Sequence, residues 1–359
     1  MILLTLLACP QPEPVDSSTP VTDYSAAGPY QAGHTQLVLD DAERSLTVEI
    51  WYPTQAVGQP SSITQSFLTP AQGEQWATLM AEAPTGCVND APTATLDAEP
   101  VGGPLPLLLM SHCHECARFS TFSVAEHLAS WGFVVAAPDH VGNTMWEMLA
   151  ETGQLPLNES TLALRLSDQQ RVLDQVLATP PLELEIDAQR IGAIGHSFGS
   201  VTSGYLLQED ARVSAALGLA APMENPLLKG VVVSELDAPI AILLAQEDGS
   251  ITELGNTLIR SNIEEAGGPA WMLELPDAGH WSVSDLLGVH PSFEDGCGSG
   301  ERHEDGSAFD FIEPAQGRGA AGQLAAAFFT ETLLGEDGAI QGQQFAGEVT
   351  LGGTLSSAE

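Results

Sequence analysis

The sequence is poor in positive charge. It contains 10 lysine and arginine residues against 48 aspartate and glutamate residues, and Lys229 is its only lysine. Proteins that bind nucleic acid through phosphate contacts need clusters of basic side chains, so this composition argues against a nucleic-acid partner. The acidic excess is spread along the chain, which is typical of a solvated surface that self-repulsion keeps dispersed.

Long apolar runs are also missing, and none approaches the roughly 20 residues that a bilayer span requires. The chain opens with a brief apolar run at residues 1–8, followed by Cys9. Residues 6–9 read Leu-Leu-Ala-Cys, which resembles the end of a bacterial lipoprotein signal, where the cysteine is lipidated after cleavage. The run is shorter than a full signal and lacks a basic start, so a frayed apolar terminus is the alternative.

These residues predict a signal at 1–8, lipidation of Cys9 and a flexible tether at 9–27, because residues 11–20 are rich in proline and serine. The protein is then exported, either secreted or held in the cell envelope. Contact with a membrane is expected only through the lipid on Cys9.

Cysteine is scarce, and its number agrees with export. Apart from Cys9 there are four cysteines, and an even number in an exported protein predicts two disulfides. Three pairings are possible, and the sequence does not choose among them. The four candidates are Cys87, Cys113, Cys116 and Cys297.

Short apolar segments alternate with amphipathic ones over residues 28–337. This order predicts an α/β protein with a mostly parallel, doubly wound sheet flanked by helices, which binds ligands beyond the carboxyl ends of its strands. Residues 61–103 are irregular and are interpreted as an insertion with a short helix near 74–82; residues 338–359 are interpreted as a tail. The strands are expected at 37–39, 45–52, 105–110, 133–137, 191–194, 215–219, 240–244 and 271–275, and the helices at 122–131, 162–177, 201–207 and 320–334.

Residues 195–199 read Gly-His-Ser-Phe-Gly, a G-x-S-x-G pattern between a predicted strand and a predicted helix. Glycines at both ends permit a tight, strained turn, which would present the Ser197 hydroxyl at the carboxyl end of the sheet. The amides at the start of the following helix would lie beneath any negative charge that develops there. The pattern predicts that Ser197 is a nucleophile; the alternative is a glycine-rich turn with an exposed serine.

A serine nucleophile needs a base beside it and a third group that orients the base. In this strand–turn–helix context the partners follow in the order Ser, Asp or Glu, His. The strand at 240–244 leads to Asp248, the predicted acid, with Glu247 as the nearby alternative. The strand at 271–275 leads to His280, the predicted general base, while His196 is expected to point away from the serine.

An oxyanion formed at this serine needs backbone donors held in place beforehand. The Phe198 amide, directly after the nucleophile, is one expected donor. The other is expected in the loop after the 105–110 strand, and the His114 amide is the candidate.

Several segments in a consistent order resemble one known family, the α/β-hydrolases related to platelet-activating-factor acetylhydrolase and dienelactone hydrolase. The resemblance covers residues 28–337 and implies the α/β-hydrolase fold. It also implies esterase or lipase activity on a small-molecule ester or lipid through Ser197, Asp248 and His280, with no metal or organic cofactor. The segments are the strand end at 51–53, the Ser-His pair at 111–112, residues 128–140, 186–200, the turn at 248, the Gly-His pair at 279–280 and residues 326–337.

The sequence departs from the family pattern at two points. Cys113 stands where glycine usually follows the Ser-His pair, and because a Cβ restricts positive φ, we expect a differently shaped oxyanion loop held by a disulfide. In the acetylhydrolase branch the acid follows an earlier strand. Here residues 217–223 carry no carboxylate before Glu224, which favours Asp248.

Two segments could be interpreted as metal sites. Residues 112–116 contain two histidines, two cysteines and a glutamate, but adjacent ligands rarely reach one ion and the spacing fits no zinc pattern. The acidic, glycine-rich residues 294–305 lack the regular spacing of a calcium loop, and a solvated loop is favoured.

The sequence therefore predicts a serine hydrolase that cleaves carboxylic esters through an acyl-enzyme. A lactone, polyester or amide hydrolase of the same fold, and a non-catalytic surface binding protein that retains the fold, are the alternatives. Insertions at 61–103 and 145–160 are expected to line or cover the pocket, because such loops determine the substrate.

Overall fold

A computed structural model of the chain describes residues 22–40, 44–89 and 91–353. Its centre is a 10-stranded sheet with the strand order β12-β9-β8-β7-β6-β4-β5-β2-β1-β3, and β10 and β11 form a separate ribbon. The predicted signal at 1–8 and Cys9 lie outside the described residues. The strands are β1 Gln31–Leu39, β2 Leu46–Thr54, β3 Thr95–Leu96, β4 Leu105–Ser111, β5 Val134–Pro138, β6 Ile186–His196, β7 Ala215–Leu219, β8 Ile240–Ala245, β9 Pro269–Leu275, β10 Ser299–Glu301, β11 Ala308–Asp310 and β12 Glu348–Gly353.

Helices cover both faces of the sheet. Within the described residues, no helix has the length and apolar character needed to cross a membrane. Helices α2 and α7 pack in the core on one face, and α4, α5 and α6 pack on the other. The helices are α1 Pro70–Glu82, α2 Phe122–Ser130, α3 Met145–Ala150, α4 Glu159–Ala178, α5 Phe198–Glu209, α6 Thr252–Glu265 and α7 Pro314–Leu334.

The six central strands, from β5 through β4, β6, β7 and β8 to β9, pair in parallel. Strand β4 shows why their sequences are continuously apolar: Leu108 packs on one face of the sheet, and Leu107 and Leu109 pack on the other. Because both faces are buried, neither can be polar. The predicted α/β fold with a mostly parallel, doubly wound sheet is confirmed.

The first hairpin is longer than predicted. Strands β1 and β2 pair antiparallel from Gln31 opposite Thr54 to Leu39 opposite Leu46, and β2 continues antiparallel onto β5. The first half of β1 was missed because it contains polar residues. One of them, His34, is buried and hydrogen-bonds to the Glu49 carboxylate at 2.6 Å.

Both ends of the folded unit extend beyond the predicted limits of 28 and 337. Residues 22–27 belong to the predicted tether, yet Tyr24 is buried and packs against Trp131 with ring centroids 4.6 Å apart. In the predicted tail, β12 pairs antiparallel with β9 and forms an edge of the sheet. The strand was not predicted because it contains Gly352 and Gly353, and glycine is a poor strand former.

Candidate active site

The G-x-S-x-G segment forms the sharp turn between β6 and α5. Ser197 has φ 56° and ψ −119°, a backbone conformation that is strained for a residue with a side chain. A Cβ on Gly195 would collide with the Gly199 backbone, and one on Gly199 would collide with the Ser111 carbonyl. The two glycines are therefore needed for close approach of backbone to backbone, and the turn leaves Ser197 half-buried.

Three side chains from different strand ends form one hydrogen-bonded chain at this turn. The His280 Nε2 lies 2.9 Å from the Ser197 Oγ, and the His280 Nδ1 lies 2.7 Å from the Asp248 Oδ2. The other Asp248 oxygen accepts hydrogen bonds from the Ser250 and Ile251 amides, at 2.9 Å each. This is the geometry in which a base takes the serine proton while a carboxylate orients the base.

The environment of His280 makes it a stronger base than an ordinary histidine. Burial on its own lowers the pKa of His280. The Asp248 carboxylate, through its charge and its hydrogen bond, and the charge of Asp295 outweigh burial, so the pKa lies above the usual 6.5. The protonated form of His280 is stabilised accordingly.

The two other carboxylates considered as the acid, Glu247 and Glu224, have hydrogen-bond partners other than His280. Glu247 accepts a hydrogen bond from the Arg302 guanidinium at 2.9 Å, and Glu224 accepts one at 2.8 Å from a backbone amide in the following loop. Among these three carboxylates, Asp248 is the one that bonds to His280.

Two further side chains, Asp295 and His196, hold the backbone around His280 and Asp248. Asp295 accepts hydrogen bonds from the Gly249 amide at 2.7 Å and the His280 amide at 3.0 Å, and so fastens both loops together. His196 points away from the serine, as expected, and its Nε2 donates to the His280 carbonyl at 2.9 Å. Asp295 was missed because it lies in the acidic 294–305 segment, where no local pattern separates it from its neighbours.

The loop after β4 is fixed by its own side chains. The His112 Nδ1 donates to the Cys113 carbonyl at 2.7 Å, and the His112 Nε2 accepts from the His140 amide at 3.0 Å. In a trans peptide the C=O and N–H point to opposite sides. The His114 N–H is therefore directed away from the His112 ring. The other candidate donor, the Phe198 N–H, lies in the first turn of α5, where no intrahelical acceptor exists.

The four cysteines form two disulfides, and the structure supplies the pairing that the sequence left open. Cys113 pairs with Cys116 within the loop after β4, with Cα atoms 5.3 Å apart. The loop has its positive φ at Glu115, 57°, and not at Cys113, so the Cβ of Cys113 is accommodated. Cys87 pairs with Cys297 across 210 residues and ties the 61–103 insertion to the 294–305 segment.

The segments considered as metal sites have other roles in the structure. Cys113 and Cys116 are joined to each other, and Asp295 holds two backbone amides. Over residues 22–40, 44–89 and 91–353, no group of three or more His, Cys, Asp or Glu side chains is arranged to hold a metal ion.

An apolar cavity of about 330 Å³ opens beside Ser197. Leu157, from the 145–160 insertion, reaches it. The expectation that 61–103 also lines the pocket is wrong for the described residues, because that segment packs Phe67 and Trp76 against Phe119 on the core instead. The lining residues are Leu157, Ser197, Phe198, Val201, Ala221, Pro222, Asn225, Pro226, Leu227, Leu228, Ile251, Leu254, Gly255 and Leu258.

The strand order, the strained turn and the hydrogen-bonded side chains define an α/β-hydrolase. Residues 94–284, more than half of the 359-residue chain, match the family model described as the dienelactone hydrolase family. The chain belongs to that family. The matched region contains Ser197, Asp248 and His280. A second model, platelet-activating factor acetylhydrolase, isoform II, matches residues 16–170 and ends before the serine.

Curated relatives and a solved structure are similar to this chain. Platelet-activating factor acetylhydrolase from Canis lupus familiaris is 27% identical over 242 residues, and that from Bos taurus is 25% identical over 240 residues. Each match covers 55% of this chain and 54% of the relative, so the chain spans about half the length of these relatives. A ferulic acid esterase from Streptomyces cinnamoneus has the same fold, with a TM-score of 0.67, 22% identity, and coverage of 92% of this chain and 99% of that one.

Proposed function

We propose that the protein is a serine hydrolase that cleaves carboxylic esters through an acyl-enzyme, with Ser197, His280 and Asp248 as its catalytic residues. The observation that carries this proposal is the hydrogen-bonded chain from the Ser197 Oγ through His280 to Asp248. Membership of a hydrolase family supports it.

In this mechanism the Ser197 Oγ attacks the ester carbonyl and its proton passes to the His280 Nε2. Asp248 keeps the imidazole in the correct tautomer and stabilises the imidazolium. The imidazolium then protonates the leaving alcohol. Water, deprotonated by the same imidazole, releases the acid. The amides of Phe198 and His114 are the proposed donors to the oxyanion in both halves of the reaction.

A direct test compares the parent protein with Ser197→Ala on p-nitrophenyl butyrate. The proposal predicts hydrolysis by the parent and loss of nearly all of it in Ser197→Ala, with unchanged circular dichroism. Hydrolysis at the parental rate in Ser197→Ala would assign the activity to another site.

The cavity indicates a neutral, apolar acyl group. Its described lining residues include no lysine, arginine or histidine. The chain has a formal net charge of −38, which adds a repulsive field. A carboxylate on the acyl group would then lose its hydration without gaining a partner.

This substrate preference is tested with two esters of similar acyl length, p-nitrophenyl butyrate and the p-nitrophenyl monoester of succinate. We expect kcat/KM to be at least about 10²-fold lower for the anion, because an unpaired buried charge costs several kcal/mol. Equal kcat/KM values for the two esters would contradict the assignment. Ala221→Phe, which narrows the cavity, should reduce butyrate hydrolysis more than acetate hydrolysis.

We further propose that the protein is exported and lipidated on Cys9. Two disulfides support an oxidising compartment, and the Leu-Leu-Ala-Cys sequence at 6–9 supports the lipid. Labelled palmitate should enter the protein made in a bacterial host, and Cys9→Ser should prevent it. Incorporation that is equal in both would exclude Cys9 as the site.

A further inference from the structure

Arg165 on α4 is completely buried next to the oxyanion loop, with 0% of its surface exposed. Its Nη1 donates to the Asn143 Oδ1 at 2.7 Å, and its Nη2 donates to the Ser111 Oγ at 3.1 Å and to the His112 carbonyl. The guanidinium carbon lies 4.5 Å from the centre of the Phe198 ring. These contacts are with residues at the end of β4, in the loops that follow β4 and β5, and at the start of α5.

Two of these contacts, with Asn143 and with Phe198, lead to the proposed oxyanion donors. The Asn143 Nδ2 donates to the His114 Nδ1 at 2.6 Å. Arg165 thus orients the Asn143 side chain, and Asn143 in turn orients the His114 ring. The Phe198 ring covers the guanidinium and also meets the His114 ring edge-on, with centroids 6.2 Å apart. One cation therefore supports the residues that carry both amides.

The second fully buried arginine shows what is unusual about Arg165. Arg118 is neutralised directly: its Nε donates to Glu49 at 2.8 Å, and its Nη1 is paired with Asp139. Arg165 has no salt bridge to any carboxylate in the described part of the chain, and its acceptors are a carbonyl, a hydroxyl and an amide. No carboxylate in the described part of the chain contacts the Arg165 guanidinium, so its positive charge is not neutralised by a direct ion pair.

The carboxylate of Asp168 lies near Arg165 but is hydrogen-bonded to other side chains. Asp168 binds the Arg44 guanidinium through both oxygens, at 2.7 Å each, and the His140 Nδ1 at 3.0 Å. Burial lowers the pKa of Arg165 to about 9, against an opposing effect of the Asp168 charge. The guanidinium is thus still protonated at neutral pH.

We propose that Arg165 is a positioning residue of the ester hydrolysis, which fixes the His114 and Phe198 amides and adds positive potential where the oxyanion forms. This inference rests on the proposed function. Charge that is fixed in a dry site stabilises a developing anion more strongly than the neutral ester. The effect of Arg165 is therefore on kcat, and KM is almost unaffected.

The test uses Arg165→Met and Arg165→Lys with p-nitrophenyl butyrate as substrate and butylboronic acid as a tetrahedral inhibitor. Arg165→Met should lower kcat by about 10²-fold, the lower end of the loss for one oxyanion donor, at nearly unchanged KM. The affinity for butylboronic acid should fall by a similar factor, because the boronate resembles the transition state. Arg165→Lys should recover part of the lost kcat, since lysine keeps the positive charge but lacks the planar set of guanidinium donors.

Two further variants separate this role from general stability. Asn143→Ala keeps the buried charge and removes the link to His114, so it should lower kcat and boronate affinity together; it also provides the test if Arg165→Met does not fold. Arg118→Met removes an equally buried arginine whose described side-chain contacts are Glu49, Asp139 and the Ser66 carbonyl. It should lower the melting temperature and keep the kcat of the folded protein.

Parental kcat and boronate affinity in folded Arg165→Met and Asn143→Ala would overturn the inference while leaving the proposed function intact. A rise in KM at constant kcat would also overturn it, because that pattern reports loss of substrate binding. A parent that neither hydrolyses the ester nor binds butylboronic acid would instead overturn the proposed function, and this inference with it.

Discussion

Two opposing effects act on the pKa of His280. Burial lowers it and the neighbouring Asp248 carboxylate raises it, and the effect of the carboxylate is the larger. A general base must be neutral, so kcat/KM should fall as the pH falls through the pKa of His280. Because that pKa is raised, the loss should be centred above pH 6.5 and not at or below it. A pH–rate profile of kcat/KM measures the midpoint.

Asp248→Asn is the matched variant for this profile. It removes the charge that raises the pKa of His280, so the midpoint should move to lower pH. The variant should also lose about 10⁴-fold in kcat, the loss expected when the acid of a Ser-His-Asp triad becomes an amide. A parental midpoint at or below 6.5, or an unchanged midpoint in Asp248→Asn, would contradict this account of His280.

The site residues that carry a local sequence signal could be predicted from the sequence. Ser197 has its glycines, and Asp248 and His280 follow predicted strands in the expected order; the fold brings all three within hydrogen-bond distance. Arg165 and Asp295 have no such signal. Their importance arises from contacts between segments far apart in sequence, and an arginine on an amphipathic helix is ordinarily a surface residue.

At the scale of elements, the turn between β6 and α5 depends on its glycines. Gly195→Ala forces a Cβ into the Gly199 backbone, so we expect a loss of about 1–3 kcal/mol in the free energy of unfolding, as for overpacking of a core. Activity should fall further, because the turn positions Ser197. Urea denaturation and the ester assay measure the two effects.

Gly319→Ala is the control. Gly319 lies inside α7, is exposed, and has no atom within 4 Å of an added Cβ. Alanine there should stabilise the protein by roughly 0.5–1 kcal/mol, because glycine is a poor helix residue. Equal stability changes in the two variants would mean that the turn tolerates a Cβ after all.

The elements that were predicted well are those whose buried positions are filled by apolar side chains. Strand β4 is buried along its whole length and was found with nearly its final bounds. Helix α6 was missed although it lies next to the cavity, since three of its five buried residues, Gly255, Asn256 and Asn262, are not apolar side chains. Strand β12 was missed because it pairs only at the edge of the sheet.

At the scale of the whole molecule, the net charge of −38 opposes the compact state. Salt shortens the range of this repulsion, from about 30 Å at 0.01 M to about 3 Å at 1 M. The melting temperature should therefore rise between these two concentrations of NaCl. Sucrose at low ionic strength, which does not screen charge, serves as the control for effects of excluded solute. A melting temperature that is constant or falls with NaCl would show that the acidic residues are already neutralised by local partners.

Composition predicted this acidic surface, and the order of apolar and amphipathic segments predicted the fold class, but neither predicted where the folded unit ends. Tyr24 extends it by packing against Trp131, and β12 extends it by pairing with β9; both contacts join segments that lie far apart in the sequence. The pairing of the four cysteines likewise depends on which loops meet, as with Cys87 and Cys297.

The central claim is that Ser197, activated by His280, forms a covalent intermediate. The most direct measurement is peptide mass spectrometry after treatment with a fluorophosphonate, with His280→Ala treated in parallel. The account predicts one phosphonate per molecule on Ser197 in the parent, and little or none in His280→Ala. An unlabelled Ser197 in folded parent protein, or a label on another residue, would contradict the account and favour a binding protein that retains the hydrolase fold.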